Sequence, residues 1–247
     1  MAATVNGAGI PVVDYTADLA RYKAAQQTLN KTVSDTDAGK TVLEDLIAQV
    51  LLEQGAKAAG YEISDSALQA RIDALTSQLG GAEKLSQWES SHGYTDESFR
   101  ADLKLSIDAA WMRDKIIKAV PTTADQVHVQ QILLYNANDA QHVLQQLQGG
   151  TNFDKLAAQY DPNARGDLGW FPKGYLLDPT VEQAAFSLQV GQTSSVIQTN
   201  VGYDIIKVLA HDPQHPLSPD ASLAMQEQAL KNWLTQQRAQ AKVVFAP

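Results

Sequence analysis

Gly166-Asp167-Leu168-Gly169-Trp170-Phe171-Pro172-Lys173-Gly174 is the stretch on which the fold turns. Its three glycines and proline forbid regular helix and require tight backbone turns. Before it, Val127 to Leu134 is rich in β-branched residues and too short for an independent helix, so it reads as a strand. Two short helices follow that strand. Ala140, Val143, Leu144 and Leu147 share one face, closed by Gly149-Gly150, and Phe153, Leu156, Ala157 and Tyr160 share the next. After the glycine stretch come a short helix around Val181 to Leu188 and two strand candidates, Ser194 to Ile197 and Tyr203 to Leu209. Residues from about 124 to 212 thus read as a compact α+β domain. His211-Asp212-Pro213-Gln214-His215-Pro216-Leu217 reads as a proline-bearing linker behind it.

Upstream, the first 120 residues read as helical after a short hairpin. Asn6-Gly7 tolerates the two positive φ angles of a type I′ turn. Tyr15, Leu19, Tyr22 and Leu29 recur on one stripe of a helix beginning near Asp14. Leu43, Leu46, Ile47, Val50 and Leu51 repeat the pattern, and so do Leu68, Ile72, Leu75 and Leu79 before Gly80-Gly81. A last helix opens at Thr95-Asp96-Glu97 and ends at Pro121. Downstream, Ser218-Pro219-Asp220 is a helix start, and the helix carries Leu230, Trp233 and Leu234 before a strand-like Val243-Val244-Phe245. A lone helix cannot bury its own apolar stripe. The economical reading returns it to the N-terminal helices, with the α+β domain inserted between the two segments.

Composition limits the chemistry. The 247 residues are 44% hydrophobic and 19% charged, with net charge −9 and no cysteine. Disulfide scaffolds, thiolate metal sites and cysteine nucleophiles are excluded. No Lys/Arg cluster offers a footprint for a phosphate backbone, so no nucleic-acid partner is expected. No run approaches the ~18–20 apolar residues of a bilayer span, and the first residues lack a signal peptide's basic and apolar regions. The absence of thiols fits work outside the reducing cytosol.

Four linked blocks carry a family resemblance: Gly166-Asp167-Leu168-Gly169-Trp170-Phe171, Ala184-Ala185-Phe186-Ser187-Leu188, Val190-Gly191-Gln192, and Val201-Gly202-Tyr203-Asp204-Ile205-Ile206-Lys207-Val208. In this order and spacing they resemble the parvulin-type peptidyl-prolyl isomerase domain. The flanking helices and the Thr4-Val5-Asn6-Gly7 opening resemble secreted or periplasmic foldases of the PrsA and SurA type. The resemblance implies an α+β fold. A parvulin-like domain, a small mainly antiparallel sheet flanked by helices (residues 122–212), is inserted into an all-α chaperone domain (1–121, with 213–247 returning to it). It also implies an extracytoplasmic location, with leader or anchor absent from this chain. The implied clients are unfolded or proline-containing polypeptides. No cofactor or metal is implied, and a homodimer through the helical domain is left open.

The chemistry of X–Pro rotation needs an apolar cradle more than a nucleophile. The barrier of ~18–20 kcal/mol comes from lost amide resonance, and no bond is broken. A site that binds the twisted amide better than either planar isomer lowers it. The resemblance places the proline pocket at Leu168, Leu176, Val181 and Phe186, with Phe171 on its rim. Val181 stands where the family carries a large aromatic or Met side chain. The family's two histidines fall on Gln131 and Asp204, its Ser on Val201, and its loop Cys/Asp on Asp161. Gln131 can donate an amide N–H to Asp204, so a hydrogen bond across the site is expected. It cannot reproduce a titrating imidazole.

His128 does not replace the lost histidine, because strand alternation turns it away from Gln131. His211 and His215 read as solvated linker residues, Asp167 as a turn-stabilising acid, and Trp88, Trp111 and Trp233 as packing anchors. Two functions follow. In one, the pocket twists X–Pro bonds while Gln131, Asp161 and Asp204 polarise the amide. In the other, a catalytically degenerate domain only binds peptides and the helices carry the holdase work. A purely structural secreted spacer is the third reading.

Overall fold

The computed structural model describes residues 1–245; residues 246 and 247, the end of the expected return segment, lie outside the described residues. In chain order the elements begin β1 (Ala3–Val5), β2 (Ala8–Ile10), α1 (Val12–Thr28), α2 (Asp35–Ala58), α3 (Asp65–Leu79), α4 (Ala82–Ser91) and α5 (Asp96–Lys118). They continue β3 (Thr123–Leu134), α6 (Ala137–Gln148), α7 (Phe153–Tyr160), β4 (Asp167–Pro172), α8 (Pro179–Ser187), β5 (Ile197–Gln198), β6 (Tyr203–Pro216), α9 (Pro219–Gln240) and β7 (Val243–Phe245). Two compact units result: Met1–Lys118 with Leu230–Pro247, and Ala119–Ala229.

In the first unit the Asn6-Gly7 turn has φ of 52° and 91°, and pairs β1 with β2. β7 pairs with the other edge of β1, so the sheet order is β2-β1-β7. The unit is therefore not all-α. Three-residue strands cannot satisfy their backbone alone, and only the return of the chain's end gives β1 its second partner. Ser34 and Ser64 start α2 and α3 by accepting the Asp37 and Ala67 amides. Val5, Ile10, Ile47, Val50 and Leu51 form one core with Leu234 and Val243, while Leu52, Ala56, Ala109 and Met112 form another with Leu230 and Trp233. Asp108, almost wholly buried, accepts the Ile63 amide at 2.8 Å and the Lys104 ammonium at 2.9 Å. One expectation fails here. The α1 stripe buries no residue, and Leu29 lies beyond the helix end, because α1 lies against α2 as an outer layer.

The second unit is built on an antiparallel sheet of order β4-β3-β6-β5. One face carries Val127, Val129, Phe171, Ile206 and Val208 and is covered by Val181 and Ala185 of α8. The opposite face carries Ile132, Leu134 and Ile205 and is covered by α6 and α7. Asn136, Asn152 and Asp178 cap α6, α7 and α8. The segment 211–217, expected as a linker, is mostly strand. β3 extends back to Thr123 and pairs with Pro216, and Gln126 donates its side-chain amide to the His215 carbonyl at 2.8 Å. A register shift between Ala124 and Gln126 lets the ladder tolerate prolines that cannot donate. The expected strand at 194–197 is confined to β5, preceded by a single bridge from Thr193 to Lys207.

Candidate functional site

Strand register decides which side chains meet. Gln131 pairs with Ile206 and Leu133 with Asp204, which puts Gln131 and Asp204 on the α8 face of the sheet. His128 lies on the opposite face. There its Nε2 is 2.7 Å from Asp167 Oδ1, and its ring tilts toward Trp170.

Asp204 is 3% exposed. Burial pushes its carboxyl above the ordinary value of 3.8; a Thr199 hydrogen bond opposes this and the nearby Asp178 charge adds to it. The Thr199 hydroxyl is 3.2 Å from the Asp204 carboxyl and from the Gly202 carbonyl. Gly202 is required there, because a Cβ would fall 2.4 Å from the Leu134 carbonyl oxygen. The expected hydrogen bond from Gln131 to Asp204 is not formed. Among the described residues, Gln131 makes its hydrogen bonds through its backbone, whose amide donates to the Gly166 carbonyl at 2.7 Å.

Asp161 has a different place from Gln131 and Asp204. It follows α7, and its carboxylate accepts the amides of Asn163, Ala164 and Gly166 at 3.3, 3.1 and 3.0 Å. These bonds, Ala164 foremost, hold it below the ordinary carboxylate value. Asp161 thus folds the loop that lays Gly166 against Gln131.

Of the expected pocket residues, Phe171 and Val181 are fully buried and form the floor. Leu168, Leu176 and Phe186 are half-buried against the same cluster, with the Phe171 and Phe186 rings edge to face at 6.2 Å. Lys173 Nζ sits 4.9 Å from the Phe186 ring centre. Two residues escape the sequence reading. His211 presents its ring to the edge of Phe186 and bonds to Asp125 at 2.6 Å. Glu182 of α8 accepts the amides of Gly174, Tyr175 and Leu176 at 2.7, 3.1 and 3.1 Å. An acid in the first turn of a helix, just after a glycine turn, is the signal that points to it. Asp167 accepts the Gly169 amide, as a turn acid should; burial raises its carboxyl, but this bond and His128 hold it below the ordinary value. Among the described residues no group of three His, Asp or Glu could hold a metal ion, and no helix is long and apolar enough to cross a membrane.

The PPIC-type peptidyl-prolyl isomerase (rotamase) domain family matches residues 123–210, and the SurA-like N-terminal domain family matches residues 1–91. Foldase protein PrsA of Geobacillus kaustophilus is 30% identical over 179 residues, covering 69% of this chain and 62% of that protein. The chain thus joins a SurA-like N-terminal domain to a PPIC-type peptidyl-prolyl isomerase domain, and it is similar to the PrsA foldases. Foldase protein PrsA 1 of Lactobacillus johnsonii is 28% identical over 229 residues, covering 85% of this chain and 73% of that protein. A solved peptidylprolyl isomerase (PrsA) from Bacillus cereus is 25% identical, with a TM-score of 0.48, covering 84% of this chain and 82% of that one. The chain spans 59–66% of the length of the Geobacillus and Bacillus foldases it matches. Within the PPIC-type domain, the α8 face of the second unit is the candidate isomerase site.

Proposed function

We propose that this chain is an extracytoplasmic foldase that binds unfolded or proline-containing segments and accelerates X–Pro rotation on the α8 face. The observation that carries this reading is a buried Asp204 on the same face as Gln131, its carboxyl raised above the ordinary value by burial, over an apolar floor of Phe171 and Val181. The half-buried Leu168, Leu176 and Phe186 hold the proline ring and exclude water. Rotation moves the amide nitrogen toward a pyramidal, amine-like form. The Gln131 side-chain amide is a hydrogen-bond donor suited to that form, as is the Asp204 carboxyl in its protonated form, and neither group has to exchange a covalent bond. Asp161 acts one step back, by fixing the loop beside Gln131.

A second reading, peptide binding without turnover, is favoured by the unclosed network: among the described residues Gln131 and Asp204 do not bond, and the imidazole on their face, His211, bonds to Asp125 instead. Exchange spectroscopy on a proline peptide separates the two. Cis–trans exchange accelerated by wild type, and reduced at least tenfold in Leu176→Ala and Asp204→Ala, supports turnover. Binding without acceleration supports the holdase. The clients, the location outside the cytosol and self-association through the helical unit rest on the family reading; sedimentation of the full chain tests the last.

A further inference from the structure

We propose that the second unit carries another peptide-binding cleft, on the face of its sheet opposite α8. It takes an internal acidic residue of an extended polypeptide on Lys207, and that residue's apolar neighbours on Leu144, Leu147 and Leu209. The inference stands apart from the isomerase reading, because it concerns the other side of the sheet.

Side chains alternate along β6, so Lys207 shares a face with Ile205, the face that α6 and α7 cover. A cleft of about 500 Å³ opens there, walled by Leu144 and Leu147 of α6, Phe153 of α7, Thr193 and Ser195 of the segment before β5, and Lys207. Ser194 holds that segment to β6: its amide donates to the Ile206 carbonyl at 2.9 Å and its hydroxyl accepts the Ile206 amide at 3.0 Å. The wall is therefore formed before any ligand arrives. A second recess of about 380 Å³, with Gln130, Asp154, Arg165, Asp167 and Leu209 in its wall, adjoins the first through Asn152 and Lys207.

Every other charged side chain in these walls is paired within the chain. Asp154 takes the Arg165 guanidinium and the Gln130 side-chain amide, and Asp167 takes His128 and the Gly169 amide. Lys207 is half-buried, and among the described residues its ammonium has no hydrogen bond or ion pair; the Thr193 and Ser195 hydroxyls are equally unengaged. A half-buried ammonium loses hydration, and in a chain of net charge −9 no carboxylate offsets that loss. A ligand carboxylate would, with two hydroxyls to donate to it. The leucines on either recess favour a carboxylate carried between apolar side chains over a free, strongly hydrated anion. Because Lys207 belongs to both recesses, the ligand chain can continue from it in both directions, which selects an internal Glu or Asp over a chain terminus.

The test uses the full chain and peptides without proline, so that the α8 face is left aside. Three end-blocked peptides differ only between two leucines, where they carry glutamate, glutamine or lysine; a fourth has the glutamine and a free C-terminal carboxylate. Binding is read by fluorescence anisotropy and located by amide NMR shifts. The glutamate peptide should bind about tenfold tighter than the glutamine peptide, the scale of a hydrogen bond to a charged group, and the advantage should shrink as salt is raised. It should shift the Leu147, Ser195 and Lys207 amides and leave Val181 and Phe186 in place. Lys207→Gln should bring the ratio near one with the glutamine peptide within about twofold, and Lys207→Arg should keep the preference. Leu209→Ser, at an exposed position that the fold does not need, should weaken the glutamate and glutamine peptides alike by about threefold. Wild type that binds glutamate and glutamine peptides equally, binds the free-carboxylate peptide tightest, or shows shifts on the α8 face alone overturns the inference. So does a Lys207 amide that responds to inorganic phosphate and to no peptide. All of these outcomes leave the isomerase reading standing.

Discussion

The Gly166 carbonyl accepts the Gln131 amide at 2.7 Å, and a Cβ on Gly166 would fall 1.8 Å from the Gln131 carbonyl oxygen. Glycine at 166, with φ of +69°, is therefore what allows the loop to close on β3 beside the site.

Gly166→Ala must strain φ and push this loop off β3. A loss of about 3 kcal/mol or more in unfolding free energy is expected, from a positive φ combined with a backbone clash. Urea unfolding measures it, and a variant within 1 kcal/mol of wild type would show that the loop does not lie on β3.

Asp161 should make stability fall in acid. Its folded value lies below 3.8, so its contribution is present above the unfolded value and lost as pH falls through the folded one. Asp161→Asn should unfold more easily than wild type at pH 7 and approach it below pH 3. Melting temperatures across that range report the convergence; curves that stay parallel contradict it.

Asp204 behaves in the opposite sense. Its folded value is raised, so the stabilising effect of its protonated form is complete below 3.8 and is lost as pH rises through the higher folded value. If the protonated carboxyl serves the isomerase, kcat/KM should fall along the same limb, and Asp204→Asn should flatten it while keeping most activity. A wild-type profile flat from pH 4 to 8 is the contrary outcome.

In the first unit, Asp108→Ala leaves the Ile63 amide without its acceptor and Lys104 without a buried partner. The expected loss is about 2–3 kcal/mol. Asp108→Asn, able to accept one of the two bonds, should recover part of it in the same denaturant titration.

Gly55 faces Trp233 so closely that a Cβ would meet the indole ring at 2.6 Å. Gly to Ala in a helix ordinarily stabilises by about 1 kcal/mol. Here Gly55→Ala should destabilise, and Trp233→Leu in the same chain should make the added methyl neutral or favourable. Additive effects in this double-mutant cycle would mean that α9 does not dock on α2.

The legible parts of this protein are those written in local chemistry. Asn6-Gly7 marks its hairpin because few dipeptides accept two positive φ angles. The Thr95-Asp96-Glu97 and Ser218-Pro219-Asp220 starts mark helices because caps act within three residues, as the Thr95 and Ser218 hydroxyls do on the Ser98 and Ala221 amides. The glycine-rich stretch at 166–174 and the three blocks after it pointed to the family, since glycine is demanded wherever backbone meets backbone. Strand alternation placed His128 away from Gln131. Other features depended on partners distant in sequence. Residues 211–217 look like linker until Thr123 and Ala124 offer them a ladder. The α1 stripe reads as one apolar face, yet packing on α2 leaves Tyr15, Leu19 and Tyr22 only half-buried. Glu182 looks like an ordinary solvated helix acid until three loop amides turn toward it.

Sequence by itself thus determined the two-part organisation and the order of elements in the second unit, because these follow from backbone permissiveness and periodicity, whereas the candidate site residues came from the family resemblance. Tertiary structure alone decided which acid does what. Asp204 is buried by strands and turns brought together across the sheet, which raises its carboxyl above the ordinary value, whereas Asp161 is surrounded by amides of its own loop, which hold its carboxyl below that value. Both are aspartates in loop-flanked segments, and only the solvent and donors around each carboxyl make them different.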